Sequence, residues 1–225
     1  VIVGSGGTAT YTTEAFVWTL AGGMTALGVL PADVGGTYAG SASEDVSADG
    51  SVVAGYSKGR GNDVTEAFRW TSSGGMVGLG MLSGGTTSRA YAVNGDGTVI
   101  VGSATKPGTY IAQEVTAFRW SSTGGMQTVA DWLTANGVAV GTNSFTDAIG
   151  VSDDGTIVIG TGQINGTTQE YIARVAASSG GGTGGGTGTG SGTGTGGGTG
   201  SGGGTGTGGG SGTGGGTGSG GGTGT

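Results

Sequence analysis

The sequence predicts an all-β repeat architecture of four-stranded antiparallel blades, a partial β-propeller, followed by a disordered Gly/Thr/Ser linker. Three observations predict it. A motif of about fifty residues recurs along residues 1–176,. Within each copy, apolar or aromatic segments alternate with glycine-bearing turns. From Ser178 to Thr225 every residue is Gly, Ser or Thr, and such a tract buries too little apolar surface to offset the entropy of ordering it. The chain therefore divides into a β-repeat domain, 1–176, and a linker, 177–225.

Four features recur in fixed order. An apolar strand reads VIVG (1–4), VVAG (52–55), VIVG (99–102) and IVIG (157–160). No polar residue alternates in it, so both of its faces are expected to be buried. An aromatic strand reads EAFVW (14–18), EAFRW (66–70), TAFRW (116–120) and, in degraded form, EYIAR (170–174). In EAFRW the bulky Glu66, Phe68 and Trp70 share one face, and Ala67 and Arg69 the other. A Gly-Gly-Met turn follows at 22–24, 74–76 and 124–126, and an Asp-Gly turn lies at 49–50, 96–97 and 154–155. Both turn types suit hairpins, because glycine accepts positive φ.

Each unit thus reads as a four-stranded meander with buried inner strands. Small sheets of that kind bury their faces by stacking around an axis, as in a propeller; a solenoid or a sandwich is the competing arrangement. The first unit lacks its leading strand and the last stops after its third, leaving fourteen strands in groups of three, four, four and three. Even small propellers need about four full blades, and the chain opens on VIVG as if in mid-strand. Further units are therefore expected ahead of residue 1. The recurring Phe16, Trp18 and Met24, Phe68, Trp70 and Met76, and Phe118, Trp120 and Met126 form the expected core between blades. One segment breaks the pattern: in QTVADWLTANG, Val129, Trp132 and Leu133 fall at helical spacing before Gly137. This predicts a short helix over 129–136 that covers the last blade.

Composition excludes several function classes. The net charge is −7, with no His and no Cys. An acidic chain lacks the basic patch that nucleic acid requires, and it gives no reason for contact with an anionic membrane. Without Cys there is no disulfide or thiol chemistry. Without His, the commonest general base and metal ligand is missing.

The repeated strings resemble the family of extracellular HAF repeats, named for a His-Ala-Phe string. Glu14-Ala15-Phe16, Glu66-Ala67-Phe68 and Thr116-Ala117-Phe118 stand at that string, with Glu or Thr in place of His. The following Trp-Thr/Ser, the Gly-Gly-Met, the Leu-Gly and the Asp-Gly hairpin also match. Tyr171-Ile172-Ala173-Arg174 resembles the usual end of such arrays. The resemblance covers residues 1–176. It implies a bacterial exported protein, often followed by an autotransporter barrel, with the repeats as passenger and with no catalytic residues and no cofactor.

Each candidate site has a structural reading beside it. The ring residues could stack sugars, but their recurrence in register fits core better. Arg69 and Arg119 could bind an acidic ligand; pairing with a carboxylate or lying along the sheet is the plainer account. The Asp-Gly turns, richest at Asp45, Asp49, Asp153 and Asp154, could hold Ca²⁺, yet each loop supplies only one or two carboxylates. The string GSGGT (4–8) lacks the Lys and helix of a phosphate loop. A Ser–Lys pair would need Lys58 or Lys106, and a carboxylate pair is possible on any scaffold.

The expected function is therefore that of a non-catalytic exported passenger. Its partner would be an extracellular ligand, a polysaccharide or another cell surface, met by variable loops at 56–64, 103–114 and 161–169. Its location would be extracellular or at the surface of a Gram-negative bacterium. The linker, with an r.m.s. span of roughly 35–40 Å, would join it to an outer-membrane barrel. A glycan-cleaving enzyme on the same scaffold and a purely structural spacer are the alternatives.

Overall fold

The recurring strings pair as their turns require. In the first sheet β1 (Ile2–Gly6), β2 (Glu14–Thr19) and β3 (Gly23–Gly28) lie side by side in that order. The second holds β4 (Gly40–Val46), β5 (Val52–Lys58), β6 (Thr65–Thr71) and β7 (Gly75–Gly78). The third holds β8 (Ser88–Val93), β9 (Val99–Thr105), β10 (Val115–Ser121) and β11 (Gly125–Thr128). After helix α1 (Val129–Ala135), the fourth holds β12 (Ser144–Val151), β13 (Ile157–Ile164) and β14 (Thr167–Arg174). All neighbouring strands are antiparallel. This computed structural model describes residues 1–10, 13–31, 39–59, 64–106 and 114–176. The expected linker, 177–225, lies outside the described residues.

One register recurs in every sheet. The glycine that ends the apolar string faces an aromatic ring across the ladder: Gly4 with Phe16, Gly55 with Phe68, Gly102 with Phe118, and Gly160 with Tyr171. On the other side of that glycine the leading strand is bulged, between Ser43 and Asp45, Ala90 and Ala92, and twice in β12. The bulge presses a carbonyl onto the glycine. A Cβ added at Gly55, Gly102 or Gly160 would lie 2.0, 1.9 or 1.8 Å from the carbonyl oxygen of Ala42, Arg89 or Asp147. The glycine is therefore set by close backbone approach, and the ring fills the space that its missing side chain leaves.

The sheets pack face to face. Each leading strand lies against the preceding sheet: β4 on β1 and β2, β8 on β5 and β6, β12 on β9 and β10. The ring face of the second sheet, with Val53, Phe68, Trp70 and Met76, meets Ala15, Val17 and Leu27 of the first. Ile100, Phe118, Trp120 and Met126 meet Val52, Ala54, Ala67 and Leu79 in the same way. Val158, Tyr171 and Ala173 meet Val99, Val101 and Ala117. Phe68 and Phe118 are both 0 % exposed, and burial of each ring stabilises by about 2–3 kcal/mol. Among the described residues the four sheets do not close into a ring.

Two faces therefore stay open, and this corrects part of the expected core. On the ring face of the first sheet Ile2 is 57 % and Met24 68 % exposed, while Phe16 and Trp18 are half-buried. No described sheet covers that face. Trp70, Trp120, Met76 and Met126 are partly buried, each packed on the edge of a joint. The far face of the fourth sheet is open too, with Ile172 74 % exposed. For the same reason β1 and β13 are not buried on both faces, whereas β9 is buried throughout.

Helix α1 starts on Thr128, whose hydroxyl accepts the Asp131 N–H. It ends in a Schellman turn: Gly137 has φ +77°, its N–H bonds to the Thr134 carbonyl, and the Val138 N–H bonds to that of Leu133,. Val129, Trp132 and Leu133 are buried together with Phe145, Tyr171 and Val175. The helix thus fills the joint between the third and fourth sheets, rather than covering the outer face of the last one.

Candidate functional site

The residues of the EAFRW string are each taken up by a joint. Glu14 and Glu66 use one carboxylate oxygen to accept the N–H of Gly28 and Gly80, at the Leu-Gly turns that close β3 and follow β7. Ser41 and Ser88, from the next sheet's leading end, complete the arrangement. Each accepts a buried N–H, from Ala15 or Ala67, and donates to the Gly28 or Gly80 carbonyl. One hydroxyl so satisfies two main-chain groups that would otherwise be costly to bury. The hydroxyl after each Trp, on Thr19, Thr71 or Ser121, accepts the N–H of the first turn glycine.

The arginines point to main chain rather than to carboxylates. Arg69 Nε donates to the Gly97 carbonyl at 3.3 Å, and Arg119 Nη2 to that of Gly155 at 3.4 Å. Both acceptors are turn glycines of the next sheet. Arg119 also lies 5.1 Å from the centre of the Trp132 ring, and its Nε is buried without a hydrogen bond. Burial pushes its pKa below the usual arginine value.

The Asp-Gly turns are likewise self-contained. Asp49 accepts from the Ser47 hydroxyl and the Ser51 N–H; Asp154 accepts from Ser152 and Thr156 in the same pattern. These bonds, the serine hydroxyl first, hold both carboxyls down at about 2. Bonds from Thr98 lower Asp96 similarly. Among the described residues, no group of three His, Cys, Asp or Glu could hold a metal ion.

What the joints leave over lies at the opposite end of the strands. There a cavity of about 390 Å³ opens between the end of β5, the start of β8 and the start of β12. Lys58, Arg89, Tyr91, Ser103, Val115 and Asp147 are among the residues that line it. The Arg89 guanidinium stacks 5.0 Å over the Tyr56 ring. Nearby Glu44 has its pKa raised by burial, an effect that the Arg89 charge partly offsets. The Tyr91 and Ser103 hydroxyls are hydrogen-bonded at 3.0 Å. Asp147 accepts the Thr161 hydroxyl at 3.2 Å, and its carbonyl accepts the Tyr171 phenol at 2.9 Å. Burial, and then the Asp147 charge, raise the pKa of that phenol.

Strand register shows which groove positions are equivalent. Ala42, Arg89 and Asp147 stand at one position of the three leading strands, paired with Tyr56, Ser103 and Thr161. The expected loops need redrawing around this site. Strands run on to Lys58, Thr105 and Ile164, and 161–169 is a hairpin turning tightly at Asn165-Gly166, both with positive φ. Residues 60–63 and 107–113 lie outside the described residues. Sequence reasoning missed Arg89, Tyr91 and Asp147. The available signal was that the leading strands keep their bulge while changing its neighbours.

No family model and no curated protein matches the chain. Among the described residues no helix is long and apolar enough to cross a membrane.

Proposed function

We propose that residues 1–176 are a non-catalytic passenger of an exported protein: a partial propeller of HAF-type repeats that binds an extracellular or cell-surface ligand. The tract 177–225 would tether it to an outer-membrane barrel of a Gram-negative bacterium. One observation carries the binding reading. The repeated residues are consumed by the joints, whereas the cavity is lined by Arg89 and Asp147, at a strand position that varies from sheet to sheet and is Ala42 in the second. A rigid repeated frame with a variable, cationic and hydroxyl-rich end suits recognition. Face-to-face packing through the leading strands supports the propeller reading.

The test is a glycan array and a chromogenic glycoside panel run on the full chain. Binding without turnover, altered by substitutions at 58, 89 or 147, is the expected result. Turnover abolished by one carboxylate substitution would establish an enzyme instead. Neither binding nor turnover would leave a spacer.

A further inference from the structure

We infer that the cavity beside Arg89 takes a carboxylate-bearing sugar, a uronic-acid unit of an acidic polysaccharide. This rests on the binding reading above and names its ligand.

The first argument is the distribution of charge. In a chain of net charge −7, the Asp-Gly turns place Asp49, Asp96 and Asp154 at one end of the strands, ionised and solvent-exposed. Arg69 and Arg119 are tied to turn carbonyls there. Lys58 and Arg89 stand at the other end, in the cavity. An anion approaching the molecule is repelled at the turns and meets, at the groove, two cations against the one lining carboxylate of Asp147,.

The second argument is the mixture of groups. The guanidinium is planar and can grip a carboxylate with two parallel N–H bonds, and that of Arg89 already lies over the Tyr56 ring. Tyr91 and Ser103 offer hydroxyls, while Val115, 43 % exposed, offers an apolar wall. Asp147 is a carboxylate in the same cavity. It suits the hydroxyls of a sugar and repels a compact dianion such as phosphate. The lining carries two cations and one carboxylate, so a neutral sugar would leave a net positive charge unmatched. The volume, about 390 Å³, falls at the lower end of the range of about 300–1,000 Å³ usual for small-ligand sites, as expected of one or two sugar rings.

Calorimetry of the full chain against polygalacturonate, its carboxyl-reduced form and inorganic phosphate tests this. Polygalacturonate should bind at least tenfold more tightly than the reduced polymer, and more weakly as salt rises. Arg89→Gln and Lys58→Met should each weaken the acidic polymer about tenfold, with unchanged circular dichroism and Tm. Asp147→Asn should weaken both polymers. Equal binding of the acidic and reduced polymers would overturn the uronate assignment while leaving the binding reading intact. Phosphate competing as well as free galacturonate would reduce the site to a general anion site and overturn it too. No binding of any polysaccharide would overturn both readings.

Discussion

The joint between the second and third sheets and the joint between the third and fourth meet one requirement with different chemistry. At the first, Phe118 is buried against Ala67 and Leu79. Ser88 and Glu66 meanwhile satisfy the main chain around the Leu-Gly turn. At the second, Phe145 stands where the serine would, the turn is replaced by α1, and Trp132, Leu133 and Tyr171 fill the space. The Thr116 hydroxyl donates across it to the Phe145 carbonyl. Phe145 and Tyr171 meet edge to face, with centroids 4.7 Å apart. The difference teaches that the repeat needs a filled, satisfied joint and not a particular residue. The small polar version is local and repeatable; the aromatic version depends on a helix that, among the described residues, only one unit carries.

The largest effect separates covered from uncovered rings. Phe118→Ala should cost about 3–5 kcal/mol in urea unfolding, because a buried ring leaves a cavity. Phe16→Ala, on the open face, should cost less than half as much; equal losses would mean that the first sheet is also covered in solution. Next, Gly102→Ala should cost about 1–3 kcal/mol by forcing the Arg89 carbonyl away. Gly4→Ala should cost little, since only the Phe16 ring tip, at 2.9 Å, must move. Similar values would argue against the bulge as the cause.

Ser88→Ala should cost about 1–3 kcal/mol, by leaving the Ala67 N–H buried and unbonded. Thr116→Val should cost about 1 kcal/mol, as one neutral hydrogen bond is lost at the aromatic joint. The smallest effect is on pH. Asp49 and Asp154 have carboxyls lowered to about 2 in the folded chain. Their contribution is complete above the ordinary aspartate value and is lost as pH falls through the folded value. Thermal melts between about pH 4 and pH 2 should therefore show a decline that Asp49→Asn and Asp154→Asn reduce, and NMR titration should place both carboxyls below the ordinary aspartate value.

Much of this frame was legible in the sequence, since apolar runs, ring alternation and glycine turns act locally. Fourteen strands and the Gly137 stop follow from such signals. The roles of Glu66 and Arg69 were not legible, because their acceptors and donors lie a turn or a whole sheet away. Nor was the exposure of Met24, which depends on whether another sheet lies over its face rather than on its own string. The groove was hidden for a related reason: Lys58, Arg89 and Asp147 come from three different sheets and share no motif.

Each Asp-Gly turn also rests on the unit before it. A Cβ on Gly50, Gly97 or Gly155 would strike Val1, Val52 or Val99 at 2.5, 2.4 or 2.8 Å. Both halves of that contact recur within the fifty-residue period. A gene segment encoding one such period, duplicated in tandem, would arrive with matching tooth and socket, so the array could lengthen or shorten by recombination without new surfaces being invented. The stretch from Val129 to Tyr171 has less such freedom, because α1, Phe145 and Tyr171 fill a joint that serine and glutamate complete elsewhere.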